Sequence, residues 1–324
     1  MRVLVTGASG MLGAGVARAL HRRGDDVTVL QRRPSGLGLR EVLADVADRA
    51  AVAGAARGQE AVVHLAAKVD VTGAWAGDAH ANIDGTGSVV DACRAGGAGR
   101  LVHVSSPSVA HAGAALVGVG AGPADPRHAR GHYARSKAVA ERLALRADAP
   151  GLAVVAVRPH LVWGPGDTQL VARLVQRARA GRLPVVGSGA ALVDSTYVDN
   201  AVDAVLAALD HCERARGEAL VVSNGEPRPV AELIAGICRS AGVPRPRRHV
   251  PHAVAWAAGA AVDAVWAARL AVPGAAEPGD PPLTRFLAEQ LATAHWFDQR
   301  RTRKLLGWAP RVSLDEGLTA LPRS

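Results

Sequence analysis

The 324 residues are 49% hydrophobic but only 3% aromatic, so Ala, Val and Leu must supply the core, and the length allows one large α/β unit with a smaller appended region. The net charge of +9 is spread over scattered arginines such as Arg18, Arg22, Arg49, Arg173 and Arg216, with no aromatic-interleaved basic stripe, which argues against nucleic acid and for anionic small molecules. Cys93, Cys212 and Cys238 show neither CxxC nor metal-ligand spacing, so idle thiols in a reducing compartment and no metal are expected. No signal peptide is read before the first strand, and no run of 18 uncharged apolar residues occurs, so the expectation is a soluble, cytoplasmic protein.

Short apolar runs then alternate with helical stretches, as βαβ units of a parallel sheet do. Strands are predicted at 3–6, 27–31, 61–65, 101–105 and 153–157, and helices at 12–23, 49–56, 79–95 and 133–147. Runs such as Ala61-Val62-Val63 and Val154-Val155-Ala156-Val157 are apolar at every position, which is the mark of strands covered on both faces. Residues 110–131, rich in Gly, Ala and Pro, break the alternation and are expected to form a substrate-contacting loop. After Arg158-Pro159 the pattern loosens, and from Pro227 onward prolines at 244, 246, 273, 278, 281 and 282 punctuate a separate region. The expected architecture is an α/β doubly wound parallel sheet over residues 1–165, with later returns near 190–224, and a smaller C-terminal substrate-binding cap in 166–324. No internal repeat is present.

Gly7-Ala8-Ser9-Gly10-Met11-Leu12-Gly13 follows the first strand and opens the first helix. A dinucleotide pyrophosphate needs a tight turn, a backbone it can approach and a helix N-terminus with unsatisfied N–H groups, and this placement offers all three. The spacing is GxxGxxG, and the context identifies a Rossmann-type cofactor turn more than the glycines do. At the end of the second strand Gln31 is followed by Arg32 and Arg33, with no acid expected to grip a ribose. Two guanidiniums suit a 2′-phosphate, so the cofactor expected is NADP(H).

Tyr133-Ala134-Arg135-Ser136-Lys137 sets a phenol and an ammonium four residues apart, on one helix face. With two tyrosines and three lysines in the chain, roughly 0.02 such pairs arise by chance, so the pair carries information. A free phenol titrates near pH 10; a neighbouring ammonium and an oxidised nicotinamide are expected to pull Tyr133 down toward the working range. Tyr133 then serves as general acid in reduction or general base in oxidation, and Lys137 tunes it and holds the ribose. Upstream, Ser105-Ser106-Pro107 ends a strand, where hydroxyls point into the ligand crevice. Ser106 is the choice for the substrate oxygen and Ser105 the alternative.

These motifs, with Asp45-Val46, His64-Leu65-Ala66-Ala67, Asn82-Ile-Asp-Gly-Thr and Arg158-Pro159, occur in an order that resembles the extended short-chain dehydrogenases/reductases over nearly the whole chain. The resemblance implies that Asp45 and Val46 flank the adenine, that Leu65, Ala66 and Ala67 pass beside the pyrophosphate and ribose, that Asn82 lies near the cofactor, and that Pro159 and His160 line the nicotinamide. Within that superfamily the chain is similar to the 3β-hydroxysteroid dehydrogenase-like branch. Residues 158–167, 223–227 and 281–290 resemble the 2-alkyl-3-oxoalkanoate reductases of bacterial long-chain olefin biosynthesis. That family implies NADPH-dependent reduction of a β-keto acid bearing two alkyl chains. The chain departs from its pattern with His160 in place of an arginine and Ser106 in place of a threonine.

Residues 253–272 are almost wholly apolar and contain Trp256 and Trp266, which fits an alkyl-chain tunnel, a membrane-surface helix or an ordinary core helix. Lys68 and His160 are candidate carboxylate anchors or structural residues, and Tyr197 in Ser195-Thr-Tyr-Val-Asp-Asn200 reads as structural. Three alternatives stay open: a 3β-hydroxysteroid dehydrogenase, a nucleotide-sugar epimerase or dehydratase, and a non-catalytic NADP-binding scaffold. The apolar stretch weighs against the sugar nucleotide, and Ser106, Tyr133 and Lys137 together weigh against the scaffold. Expected partners are a lipophilic small molecule, enzymes of the same pathway, at most the edge of a membrane, and a second copy in a homodimer.

Overall fold

The computed structural model describes residues 1–69, 74–111, 113–270 and 284–322. Seven strands, β1 (Arg2–Thr6), β2 (Asp26–Gln31), β3 (Arg40–Leu43), β4 (Ala61–His64), β5 (Arg100–Val104), β6 (Ala153–Pro159) and β7 (Ala219–Val222), form one parallel sheet in the order 7-6-5-4-1-2-3. Strand order reverses between β1 and β4, which places a crevice beyond their carboxyl ends. The five predicted strands all occur. β3 and β7 are the additions, because Arg-Glu-Val-Leu is a short, half-buried edge strand and β7 lies far along the chain.

Alternation along the strands distributes the core over two layers. Val3, Val5, Val63, Val155 and Val157 face the helices Met11–Arg22 and Val198–Asp210. Leu4, Val62, Leu101 and Val154 face the opposite layer, with Val52, Val89, Val90 and Ala144 from the helices at 49–56, 85–96 and 131–145. Aromatic rings are scarce in both layers, so the small residues close the packing. The three cysteines are buried free thiols.

The helix expected at 79–95 starts earlier, at Trp75, and includes a π-helical turn over Ala79–Asp84. Residues 110–131, expected to form a substrate-contacting loop, contain one short strand. Leu116–Val119 is a strand that pairs in parallel with His295–Phe297, in a second sheet completed by Leu192–Val193 and Arg228–Pro229. Two short strand pairs, Val162–Trp163 with Thr196–Tyr197 and Val185–Val186 with His249–Val250, lie beside it. Tyr197 packs edge-on against Trp163 with ring centres 5.6 Å apart, a structural contact as read from the sequence.

The apolar stretch forms the helix His252–Leu270, joined to the helix Arg285–Ala292 by Trp256 Nε1 donating to Glu289 Oε1 at 3.1 Å. It is not an ordinary core helix, since Val254 and Val265 are 57% and 48% exposed. Residues 271–272 and 281–283, parts of two segments singled out above, lie outside the described residues. Among the described residues no helix is long and apolar enough to cross a membrane.

Candidate active site

The glycine turn sits at the sheet's reversal point. Gly7 has φ +80°, and a Cβ there would meet Ala66 N at 2.7 Å; a Cβ on Gly13 would meet Gly7 O at 2.3 Å. Only glycine lets the turn fold this tightly against the residues after β4. The helix behind it is capped by Gly10, with no side-chain cap and no acid in its first turn; Gly10 N donates to Gly7 O at 3.2 Å, which leaves N–H groups of residues 11–13 for an anion. Ser9 and Gly10 are exposed, and Met11 and Leu12 half-buried. Leu65, Ala66 and Ala67 run alongside, tied by Leu65 N donating to Thr6 O at 3.2 Å and Ala66 N to Thr6 Oγ1 at 3.1 Å.

At the end of β2, Arg32 and Arg33 are exposed and make no ion pair among the described residues. The absence of a nearby acid needs correction. Glu41 on β3 accepts from Gln31 Nε2, and from Ser35 N and Oγ at 2.8 and 2.7 Å. Those serine bonds hold its carboxyl below the usual range, so the charge is present but already engaged. Asp45 accepts from Ala47 N at 2.9 Å, and Val46 is buried under Gly85.

A continuous polar chain leads from the turn to the catalytic helix. Thr6 Oγ1 meets His64 Nδ1 at 2.7 Å, His64 Nε2 meets Thr86 Oγ1 at 3.0 Å, and Thr86 Oγ1 donates to Asn82 O at 2.6 Å. Asn82, in the π-helical turn, accepts from Lys68 N at 2.9 Å and donates to Ser136 Oγ at 2.9 Å, which in turn donates to Tyr133 O at 2.9 Å. Asn82 thus clamps the segment after β4 to the helix Gly131–Leu145.

On that helix the Tyr133 phenol comes close to the Ser106 side chain, while Lys137, one turn on and 3% exposed, donates from Nζ to Val104 O at 2.7 Å. Ser105 is turned inward, its N–H bonded to Val157 O at 2.7 Å, so the structure brings Ser106 rather than Ser105 to the phenol. In the chain alone the phenol is raised, whereas the lowering expected above also draws on an oxidised nicotinamide. Burial pushes the phenol up to about 12, Ser106 opposes this only in part, and buried Asp78 acts in the same direction as burial. Burial pulls Lys137 down to about 8 against the attraction of Glu141. The pair therefore holds a firmly protonated phenol and a cation close to losing its proton.

Pro159 ends β6 and His160 follows it, buried, with N–H donated to Val222 O at 2.9 Å. The next residue, Leu161, has φ +41°, a left-handed strain in a non-glycine residue. His160 stands edge-on to Phe297 at 5.1 Å and near His295 at 6.2 Å, and burial pulls these imidazoles down to about 3 and about 4. The sequence reading overlooked the pair Arg158–Glu141. Both side chains are 1% exposed, Arg158 Nε donates to Glu141 Oε2 at 2.7 Å, and Arg158 Nη1 donates to Ala121 O. It binds β6, the catalytic helix and the 110–131 segment together. Its signal was available, since an arginine inside an apolar strand requires a buried partner.

Proton donor, hydroxyl and phosphate cradle meet at neighbouring strand ends, which places the chain among oxidoreductases of C=O and CH–OH groups. Residues 3–223 match the model of the NAD dependent epimerase/dehydratase family, and the chain belongs to that family. It is 41% identical over its full length to the 2-alkyl-3-oxoalkanoate reductase of Stenotrophomonas maltophilia, covering 99% of that protein. It is 31% identical, over 86% of this chain and 64% of the relative, to 3beta-hydroxysteroid-dehydrogenase/decarboxylase isoform 1 of Arabidopsis thaliana. Among solved structures, MoeE5 in complex with UDP-glucose and NAD superposes with a TM-score of 0.73 at 26% identity, over 99% of this chain and 97% of that one. The resemblance drawn from the motifs is thereby borne out.

Proposed function

We propose that the protein is a ketoreductase that uses NADPH to convert a 2-alkyl-3-oxoalkanoic acid with long chains to the 2-alkyl-3-hydroxy acid, a step of olefin-forming lipid metabolism. The observation that carries the chemistry is the Tyr133 phenol beside Ser106, one helical turn from Lys137. The substrate class follows the reductase that is 41% identical to this chain. The uncapped helix behind Gly7–Gly13 fits a dinucleotide pyrophosphate, and exposed Arg32 and Arg33 favour the 2′-phosphate form.

When bound, a nicotinamide dinucleotide supplies the hydride. Ser106 holds the ketone oxygen and Tyr133, protonated throughout the neutral range, delivers its proton there as the C=O π bond breaks. The ammonium of Lys137 stabilises the phenolate left behind and binds ribose hydroxyls. Asn82 keeps the helix in register with the cofactor side.

The test is turnover by purified protein of a long-chain 2-alkyl-3-hydroxy acid with NADP⁺, against a 3β-hydroxysteroid and a UDP-sugar, each repeated with NAD⁺. The hydroxy acid should be oxidised, with kcat falling about 10²–10⁴-fold in Tyr133→Phe while NADP⁺ still binds. Steroid turnover alone moves the protein to the branch of the plant relative. Cofactor binding without any turnover rejects the substrate assignment.

A further inference from the structure

The helix His252–Leu270 is held along one side. Ala255 and Gly259 are buried there, and a Cβ on Gly259 would meet Arg285 N at 2.5 Å, so the start of the helix Arg285–Ala292 lies directly against it. The acids of this contact are engaged: Asp263 Oδ2 accepts from Arg285 N at 3.2 Å, and Glu289 Oε1 from Trp256 Nε1 at 3.1 Å. On the other side Val254, Ala258, Ala261, Val265 and Ala268 follow one another in steps of four and three residues, which makes one outward stripe. Val254 is 57% and Val265 48% exposed, and Trp256 beside them is 39% exposed while its N–H stays on Glu289. Every exposed residue from 253 to 268 is Ala, Val or Trp, so this face carries no charged side chain. A contiguous apolar face of this kind marks an interaction surface.

Charge lies around this face, and it is of one sign. No Asp or Glu occurs between residues 168 and 193 or between 233 and 262, while each of those stretches contains four arginines. The strand Val185–Val186 pairs in parallel with His249–Val250, and Val185 N donates to Arg248 O at 2.9 Å, which gathers the two stretches beside the start of the helix. Arg179, Arg182, Arg245, Arg247 and Arg248 are exposed, and none of them makes an ion pair among the described residues. At the far end Arg269 is exposed, with its guanidinium over the Trp266 ring at 5.4 Å. Both ends of the helix are therefore positive. Two copies of the chain packed along it would set arginine against arginine in either direction. A surface that is apolar within and anionic at its edge answers both features, and a bilayer with anionic headgroups is such a surface.

We propose that this face docks on an anionic lipid bilayer, with the helix His252–Leu270 lying in the plane of the membrane. Val254, Trp256 and Val265 enter the boundary between headgroups and acyl chains, and the arginines at both ends of the helix meet lipid phosphates. The helix rests on the bilayer and does not cross it, since among the described residues no helix is long and apolar enough to span. The inference does not require the reductase reading, and its test needs no turnover.

The experiment is flotation of the full chain with phosphatidylcholine vesicles, with and without about 30% phosphatidylglycerol. Binding to the anionic vesicles should be at least about tenfold tighter and should weaken as salt is added. Val254→Glu with Val265→Glu puts charge on the stripe and should abolish binding to both vesicles, whereas Val254→Leu with Val265→Leu should match or exceed the native chain. Arg247→Gln with Arg248→Gln should weaken binding to the anionic vesicles about tenfold and leave binding to phosphatidylcholine as it was. All four side chains are exposed, so the urea midpoint and NADPH affinity should stay at native values in every variant. No flotation with either vesicle, equal binding to both, or binding that survives the two glutamates overturns the proposal. A dimer in sedimentation that the glutamates dissociate, found in place of flotation, gives the face to a second copy and overturns it as well.

Discussion

On the cofactor side of the crevice, polar side chains connect without a gap from Thr6 through His64, Thr86, Asn82 and Ser136 to the backbone of Tyr133. On the side formed by the second sheet, His160 Nε2, His295 Nδ1 and Gln299 Nε2 are buried without partners, and strands of two to four residues replace the long ones. On the first side this chain of bonds holds the cradle, although His103 and Ser105 Oγ beside it are buried without partners. On the second side no such chain links these ring and amide nitrogens to one another. Satisfied networks rigidify and unsatisfied ones await partners, so the difference separates the general half of the site from the specific half.

The Arg158–Glu141 pair belongs to the rigid half, and breaking it should give the largest effect. Glu141→Gln leaves a guanidinium buried without its counter-ion, at a cost of about 3–5 kcal/mol. Urea denaturation should show that loss, and the double variant Arg158→Met, Glu141→Leu should recover most of it. A single-variant loss under about 1 kcal/mol would place the pair outside the rigid half. Gly13→Ala comes next: its Cβ would press on the Gly7 carbonyl, a backbone atom that cannot yield without moving the turn. NADPH affinity should fall about 100-fold, as small misplacements of a binding backbone do. Wild-type affinity in this variant would show that the cradle is as adaptable as the opposite wall.

A third effect lies in pH rather than in size. Lys137 is held down to about 8 by burial, so its ammonium loses its proton as pH rises through that value. Tyr133 stays protonated there, since it titrates near 12. The rate of reduction should be flat between about pH 6 and 7 and fall above about 8. In Lys137→Arg, which keeps its charge, activity should be lower but that alkaline limb absent. A limb that persists in the arginine variant belongs to another group.

The rigid half was also the legible half. Gly7–Gly13 after an apolar run, and Tyr133 with Lys137 at helical spacing, are local signals, and each lies on the element predicted for it. What escaped is non-local or short. β7 joins the sheet from 60 residues beyond β6, Leu116–Val119 becomes a strand only because His295–Phe297 lies beside it, and Glu41 reaches the end of β2 across a strand pairing. The burial of Tyr133 was not legible for a related reason. The sequence shows the ammonium four residues away but not the burial, nor buried Asp78, both of which push the phenol up.

The smallest expected effect tests whether the specific half stores strain as well as open donors. Leu161 adopts φ +41° directly after His160, and at 37% exposure its side chain buries too little to account for that conformation. A left-handed conformation costs an ordinary residue about 1–2 kcal/mol, and asparagine tolerates it better because its amide can bond the local backbone. Leu161→Asn should therefore raise stability by about 0.5–1 kcal/mol in urea, after some loss of leucine packing. If the strain fixes His160 for its ligand, that gain comes with a weaker KM for the hydroxy acid and an unchanged Kd for NADPH. A stability gain with KM unaltered would mean that Thr196, whose N–H bonds Leu161 O at 3.2 Å, and β7, which holds His160 N at 2.9 Å, position the imidazole by themselves. The strain would then be a by-product of joining β6 to the short strand Val162–Trp163, not part of the site.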